Sequence, residues 1–203
     1  MQDVLDYLKL VRINDPETIL DLYPHELSGG MRQRIMIAMA LSAKPSLLIA
    51  DEPTSALDIT IQAQVLTLMK ELMEEVQTSI LFISHDLGII AEMADEVGVL
   101  YAGHLVEFGP VEEVFANPRH PYTKLLLRSV PAQYKEDGPL PALSGSVPSL
   151  ADVPRGCPFH PRCPLARDAC TRDPGPMLEP AKGTSVRTHL SACYYSDEVG
   201  RMT

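Results

Sequence analysis

The chain has 203 residues, 45% of them hydrophobic and 22% charged, the balance of a folded protein with one core and room for a small appendage. A formal net charge of −10 argues against a broad basic footprint for nucleic acid. No run of about eighteen apolar residues occurs, and the start "MQDVLDYLKL" is acidic and amphipathic, unlike a secretory signal, so a cytosolic chain that does not span a membrane is expected.

In chain order, residues 2–11 predict a helix with Val4, Leu5, Leu8 and Val11 on one face. "NDPE" (14–17) turns into a second short helix. Ser28 stands where an N-cap belongs, and the helix beyond it carries Met31, Ile35, Ala38, Met39 and Leu41 until Pro45 disfavours helical geometry at Lys44. "SLLIA" (46–50) reads as a strand buried on both faces. Asp58 can cap a long helix with the stripe Ile61, Val65, Leu68, Leu72 and Val76. A second buried strand, "SILFIS" (79–84), leads to His85 and a short helix capped by Asp86. "EVGVLY" and "HLVEF" around "AG" predict an antiparallel hairpin closing the edge of a mainly parallel sheet. Helices "VEEVFAN" and "HPYTKLLLRSV" follow, the latter with Pro121 at its first position.

Composition then changes. Thirteen of the 18 prolines lie at or after Pro118, and all 4 cysteines lie in the last quarter. Residues 131–156 hold five prolines and three glycines with little periodicity, which reads as a linker that wraps rather than folds. The expected organisation is a regular α/β part over 1–130 and a Cys/Pro-rich extension over 131–203.

Two stretches carry phosphate chemistry. In "LSGGM", Ser28 offers a hydroxyl while Gly29 and Gly30 leave backbone N–H groups uncovered at the positive end of a helix. Such a terminus favours an anion by only about 0.3–1 kcal/mol at an exposed site, so the residues leave open a plain N-cap with a tight entry. In "LLIADE", Asp51 and Glu52 follow a strand, the place where α/β sheets bind ligands. The aspartate can hold Mg²⁺ and the glutamate can orient or deprotonate a water, while His85 leaves the neighbouring strand toward the same place. Taken singly, each is equally a solvated turn or a helix cap.

The order of these pieces is specific. "LSGGM" (27–31), "LLIADE", "SALD" (55–58) and the strand-borne His85 resemble the signature, Walker B strand, D-loop and switch histidine of the ATPase subunits of ATP-binding-cassette (ABC) transporters. The resemblance implies an α/β fold with a P-loop-NTPase-like ABC ATPase core, mainly parallel sheet with helices. It also implies ATP and Mg²⁺ as cofactors, Glu52 and His85 as catalytic residues, and Ser28, Gly29, Gly30, Asp51 and Asp58 as nucleotide-binding residues. The family's adenine-stacking aromatic residue, its G-x-x-x-x-G-K-[ST] loop and its Q-loop do not occur in these 203 residues. The chain thus looks like the C-terminal part of a cassette. In the family two cassettes pair head to tail, the signature of one covering ATP held by the other.

The stretches "HPYT" and "GCPFHPRCPLARDAC" resemble the C-terminal extension of oligopeptide- and dipeptide-permease ATPases. The spacing C-x5-C-x6-C-x22-C of Cys157, Cys163, Cys170 and Cys193 lacks the paired C-x2-C of a zinc ribbon. Four thiolates suffice for a [4Fe–4S] cluster, and the resemblance favours a cluster over zinc; thiols without metal stay open. His160 and His189, close enough in sequence to substitute as ligands, read as surface histidines.

The expected function is the ATP-hydrolysing subunit of an importer of peptides or a related solute such as nickel. It would work at the cytoplasmic face of the membrane with a second ATPase subunit and permease subunits, served indirectly by an extracytoplasmic solute-binding protein and contacting no nucleic acid. The alternatives are a non-catalytic fragment with a metal-binding regulatory module and a soluble cassette ATPase acting on nucleic acid or ribosomes.

Overall fold

The computed structural model describes residues 2–129, 145–184, 186 and 188–202, and it divides into two compact units, Met1–Ile89 and Ile90–Thr203. Among the described residues no helix is long and apolar enough to cross a membrane.

In the first unit, helices α1 (Gln2–Leu10), α2 (Pro16–Ile19), α3 (Gly29–Ser42) and α4 (Ile59–Val76) accompany strands β1 (Leu47–Asp51) and β2 (Ser79–Ile83). A 3₁₀ turn over Pro24–Glu26, closed by Glu26 accepting from the Tyr23 N–H, leads into α3. The strands pair in parallel, Leu47 opposite Ser79 through Asp51 opposite Ile83. Ile37 and Leu41 of α3 and Met69, Leu72 and Met73 of α4 pack with Leu48 and Ile80 on one face of this pair. The other face is open: Leu47 is 52% and Ile49 61% exposed, and Leu81 and Ile83 are exposed too. The expectation of strands buried on both faces is therefore corrected, because helices cover only one side within this unit.

The α4 stripe holds at Val65, Leu68 and Leu72, joined by Leu66 and Met69, with Ile61 and Val76 half-buried. In α3 the buried residues are Ile37, Ala38 and Leu41, while Met39 is 68% exposed, contrary to the expected stripe. This helix is apolar nearly all round, so packing and not periodicity selects its inner face. It stops at Ser42, and Lys44 takes a left-handed φ of 49° before Pro45.

The boundary between the units falls within α5 (Leu87–Met93). In the second unit, β3 (Glu96–Tyr101) and β4 (His104–Pro110) form the expected hairpin. Ala102 and Gly103, with φ of 47° and 79°, make its two-residue turn, the pair of positive dihedrals that matches strand twist. The hairpin does not close the edge of the parallel sheet. It belongs to a separate antiparallel sheet in the order β3-β4-β6-β5, completed by β5 (Glu179–Pro180) and β6 (Leu190–Ser191). The β4–β6 pairing is two residues long: Glu107 lies opposite Ser191 and Phe108 opposite Leu190. Helices α6 (Val111–Ala116) and α7 (Pro121–Arg128) follow the hairpin, with Pro121 at the first helical position as expected.

Phe159, fully buried, is the aromatic centre of this unit, with ring centroids 5.1 Å from Tyr101, 5.5 Å from Tyr122 and 5.8 Å from His120. Of the expected linker, residues 131–144 lie outside the described residues, and 145–156 form neither helix nor strand.

Candidate functional sites

The first site stands at the carboxyl ends of β1 and β2. Asp51 ends β1, and Glu52 follows in the left-handed region with φ of 46°. Non-glycine residues rarely sit there, and such strain costs of order 1–3 kcal/mol, held where the surroundings over-determine it. The Glu52 N–H still donates to the Ile83 carbonyl at 3.0 Å, so the turn extends the parallel pairing by one bond while sending the carboxylate across to the end of β2. There Glu52 Oε1 accepts from the His85 backbone N–H at 3.0 Å and lies 2.7 Å from His85 Nδ1. Hydrogen bonding and charge from Glu52 raise the His85 pKa, which favours imidazolium. With Nδ1 committed to Glu52, Nε2 is the nitrogen left to meet a ligand. The strands therefore bring the expected catalytic pair into direct contact. Asp86 caps α5 as expected, accepting from Gly88 N–H at 2.8 Å.

The glycine-pair terminus lies beside the "SALD" loop. Ser28 is the N-cap of α3, its hydroxyl accepting from Met31 N–H at 3.3 Å. Asp58 caps α4, accepting from Ile61 N–H at 3.0 Å. A Cβ on Gly29 would come 3.3 Å from Leu57 Cδ2, and one on Gly30 would come 2.7 Å from Ile61 Cγ2. Gly30 thus has a packing reason, the close approach of α3 to the start of α4. From the sequence, its uncovered N–H and a tight entry to the helix were both open, but not a neighbour on α4.

The second site is built in the extension. Cys157, Cys163, Cys170 and Cys193 are all free thiols and line one pocket with His120, His160, Tyr194 and Tyr195 among others. Cys157 N–H donates to the Cys170 carbonyl at 2.8 Å, closing the loop on itself. Gly156, with φ of 73°, permits this: a Cβ there would strike the Cys170 carbonyl and come 3.0 Å from Arg172 N. Burial pushes the Cys163 thiol up to about 11 and Cys193 up to about 12, and raises Cys157; the neighbouring cysteines act in the same direction. Cys157, Cys163 and Cys193 thus resist ionising beside one another, and a cation bound there would favour their thiolates. Among the described residues, none lining the pocket carries a carboxylate or a permanent positive charge. The donors fit a sulfur-liganded metal group in kind. Among the described residues, however, no three His, Cys, Asp or Glu side chains are grouped to hold an ion as they stand.

Of the two histidines read as surface residues, one is partly and the other wholly buried. His160 is half-buried in the cysteine pocket. His189 is fully buried, with Nε2 2.7 Å from Oε1 of an equally buried Glu107. Glu107 also accepts from the backbone N–H groups of Arg119 at 2.5 Å and His120 at 2.9 Å. This carboxylate ties β4, the "HPYT" entry and the approach to β6 together. His120, whose pKa burial lowers to about 3, stays neutral and accepts from Tyr122 N–H at 3.1 Å. No sequence pattern marked Glu107, a single acid between apolar residues.

Comparison with known proteins agrees with the motifs. Residues 1–55 match the ABC transporter family model, and residues 106–170 match the model of the oligopeptide/dipeptide transporter C-terminal region. The oligopeptide transport ATP-binding protein AppD of Bacillus subtilis (strain 168) is 50% identical over 199 residues, covering 98% of this chain and 59% of the relative. The dipeptide transport ATP-binding protein DppD of Escherichia coli (strain K12) is 47% identical over 203 residues, covering 100% of this chain and 61% of the relative. The chain thus spans about three fifths of the length of these relatives. Among solved structures, cbiO1 of Clostridium perfringens, part of the ABC transporter complex cbiONQ, is 34% identical with a TM-score of 0.51, over 57% of this chain and 45% of that one. A putative metal-chelate type ABC transporter is 28% identical with a TM-score of 0.54, over 67% of this chain and 53% of that one. Over the part it spans, the chain is thus similar to ABC-transporter ATP-binding proteins of the oligopeptide/dipeptide type, with one segment matching the ABC transporter model and another the permease-type C-terminal region.

Proposed function

We propose that this chain is part of the ATP-hydrolysing subunit of an ABC importer for peptides or a related solute such as nickel. It docks on permease subunits at the cytoplasmic face of the membrane and pairs with a second ATPase subunit, with a solute-binding protein serving the assembly from outside. The observation that carries the reading is the Glu52–His85 contact at the ends of adjacent parallel strands, in a chain about half identical to transport ATP-binding proteins.

The residues divide the work as follows. Asp51 holds Mg²⁺. Glu52 orients the attacking water and takes its proton. His85, anchored through Nδ1, turns Nε2 to the γ-phosphate, and its raised pKa supplies an N–H donor there. Ser28, Gly29 and Gly30 close over ATP bound by the partner, and Asp58 fixes the loop beside them. ATP with Mg²⁺ supplies the phosphoryl group to be transferred.

In the assembled transporter, Glu52→Gln should keep ATP binding and lower turnover by about 10²–10⁴, the usual contribution of a positioned base. Near-normal turnover would remove Glu52 from the role. The 203-residue chain by itself should bind ATP weakly. A helix terminus supplies under about 1 kcal/mol toward an anion, whereas micromolar affinity needs about 8 kcal/mol. Tight Mg²⁺-dependent binding by residues 1–203 would overturn this map of the site.

For the extension we propose that Cys157, Cys163, Cys170 and Cys193 hold a [4Fe–4S] cluster. What supports it is the convergence of four thiols on one pocket free of charged side chains, together with the resemblance of the extension. Anaerobically purified protein should be brown and lose its colour with serine at any one of Cys157, Cys170 or Cys193. Colourless protein with one zinc per chain would replace the cluster by a structural zinc site.

A further inference from the structure

Cys163 follows His160 by three residues across a 3₁₀ turn, Cys163 N–H donating to the His160 carbonyl at 3.3 Å. Side chains at i and i+3 of such a turn lie over one another, and both residues line the cysteine pocket. The imidazole is oriented by a second bond, Nδ1 standing 2.9 Å from the Cys157 carbonyl oxygen. A carbonyl only accepts, so Nδ1 carries the proton and, in neutral imidazole, Nε2 carries the lone pair. An Nδ1–H held by a backbone carbonyl is how protein histidines are fixed when Nε2 binds metal. His120, in the same pocket, is set the other way: its Nδ1 accepts from Tyr122 N–H, so its free nitrogen bears the hydrogen and cannot coordinate. Of the two pocket histidines, only His160 presents a donor pair to a metal.

We propose that His160 is a fifth donor of the cysteine pocket, its Nε2 taking the metal position of Cys163 when that thiol is missing. The proposal rests on the reading that the cysteines bind iron. It makes the position at the 3₁₀ turn exchangeable between sulfur and nitrogen, while Cys157, Cys170 and Cys193 have no such understudy.

The test uses the 203-residue chain, reconstituted anaerobically with ferrous iron and sulfide, and reads iron per chain, visible absorption and nitrogen hyperfine coupling in the reduced state. His160→Ala should keep its iron, since four thiols remain; loss of iron there would overturn the replacement role. Cys163→Ser should keep iron and gain a nitrogen coupling that wild type lacks. Adding His160→Ala to it should weaken iron binding about 10-fold or more, in the range of losing a group that supports a metal. Cys163→Ala repeats the comparison without a serine oxygen and with an independent chance of folding. Equal iron loss in the single and double variants, or iron without nitrogen coupling in Cys163→Ser, would overturn the proposal. Should wild type take up no iron, the cluster reading fails by itself. Cobalt(II) titration of the same variants then decides: a Cys163→Ser spectrum that changes with His160→Ala supports the fifth donor, and an unchanged one refutes it.

Discussion

Replacing Gly30 with Ala separates packing from phosphate binding at the α3 terminus. The added Cβ would lie 2.7 Å from Ile61 Cγ2, against ordinary contacts of 3.4–4 Å. That methyl sits on a branched carbon, and Ile61 Cβ and Cδ1 are themselves 4.0 Å away, so rotating the side chain does not clear the space. α3 and α4 must part by several tenths of an ångström. Overpacking of this kind costs about 1–3 kcal/mol, and the gain in helix propensity of Ala over Gly returns at most about 1 kcal/mol. The net expectation is a loss of up to about 2 kcal/mol, read as a lower urea midpoint with unchanged slope. Ile61→Ala removes the obstructing methyl, so in that background Gly30→Ala should cost nothing or stabilise slightly. A double-mutant cycle should therefore show coupling of about 1 kcal/mol or more. If the two changes add within about 0.5 kcal/mol, the contact is not what demands glycine. The phosphate-facing N–H would then be the only remaining reason.

Three further outcomes follow from the geometry. His85 titrates above 6.5 because of Glu52, so their pairing is complete below 6.5 and is lost as pH rises through the raised value; an NMR titration of the imidazole should show the midpoint falling toward 6.5 in Glu52→Gln, and identical midpoints would refute the pairing. Glu107→Gln leaves one of three buried N–H donors facing an amide NH₂ and should destabilise the second unit by about 1–3 kcal/mol, measured by hydrogen exchange at Arg119 and His120. A cost under about 1 kcal/mol would show the cluster to be loosely held. Gly156→Ala forces a side chain against backbone at a left-handed position, and should lower both thermal stability and iron uptake by the cysteine loop, whereas Gly200→Ala, with open space around it, should change neither.

The motif order was legible from sequence because each piece sits on an element with strong local signals. Ser28 and Asp58 are N-caps in the structure as in the reading, and His85 meets Glu52 because parallel neighbours end side by side. What could not be read depends on partners far along the chain. The left-handed turn at Glu52 has no glycine to announce it. The demand for Gly30 comes from Ile61, on another helix. Apolar runs at 46–50 and 79–84 signal strands but not what covers them, so the open face with Leu47 and Ile49 was missed. β6 is two residues long, too short for any alternation, and so the tail's share in the hairpin's sheet left no trace. Burial of His189 follows from that pairing and was invisible for the same reason.

The register of Glu107 opposite Ser191 also sets a timetable for synthesis. The two partners are 84 residues apart, so at about 5–20 residues per second a ribosome takes roughly 4–17 s between them. During that interval β4 has its hairpin mate but an unpaired outer edge, and Glu107 has no imidazole to face. The first unit, whose parallel strands are both complete by Ile83, is under no such delay. Vectorial translation therefore yields an early unit and a late one. A ribosome that stalls or stops before residue 190 releases a chain with a ready-made β-edge and an uncompensated acid beside it. Such nascent chains are the ones expected to occupy chaperones, and a reporter fused at the C-terminus would count only those that have passed the wait.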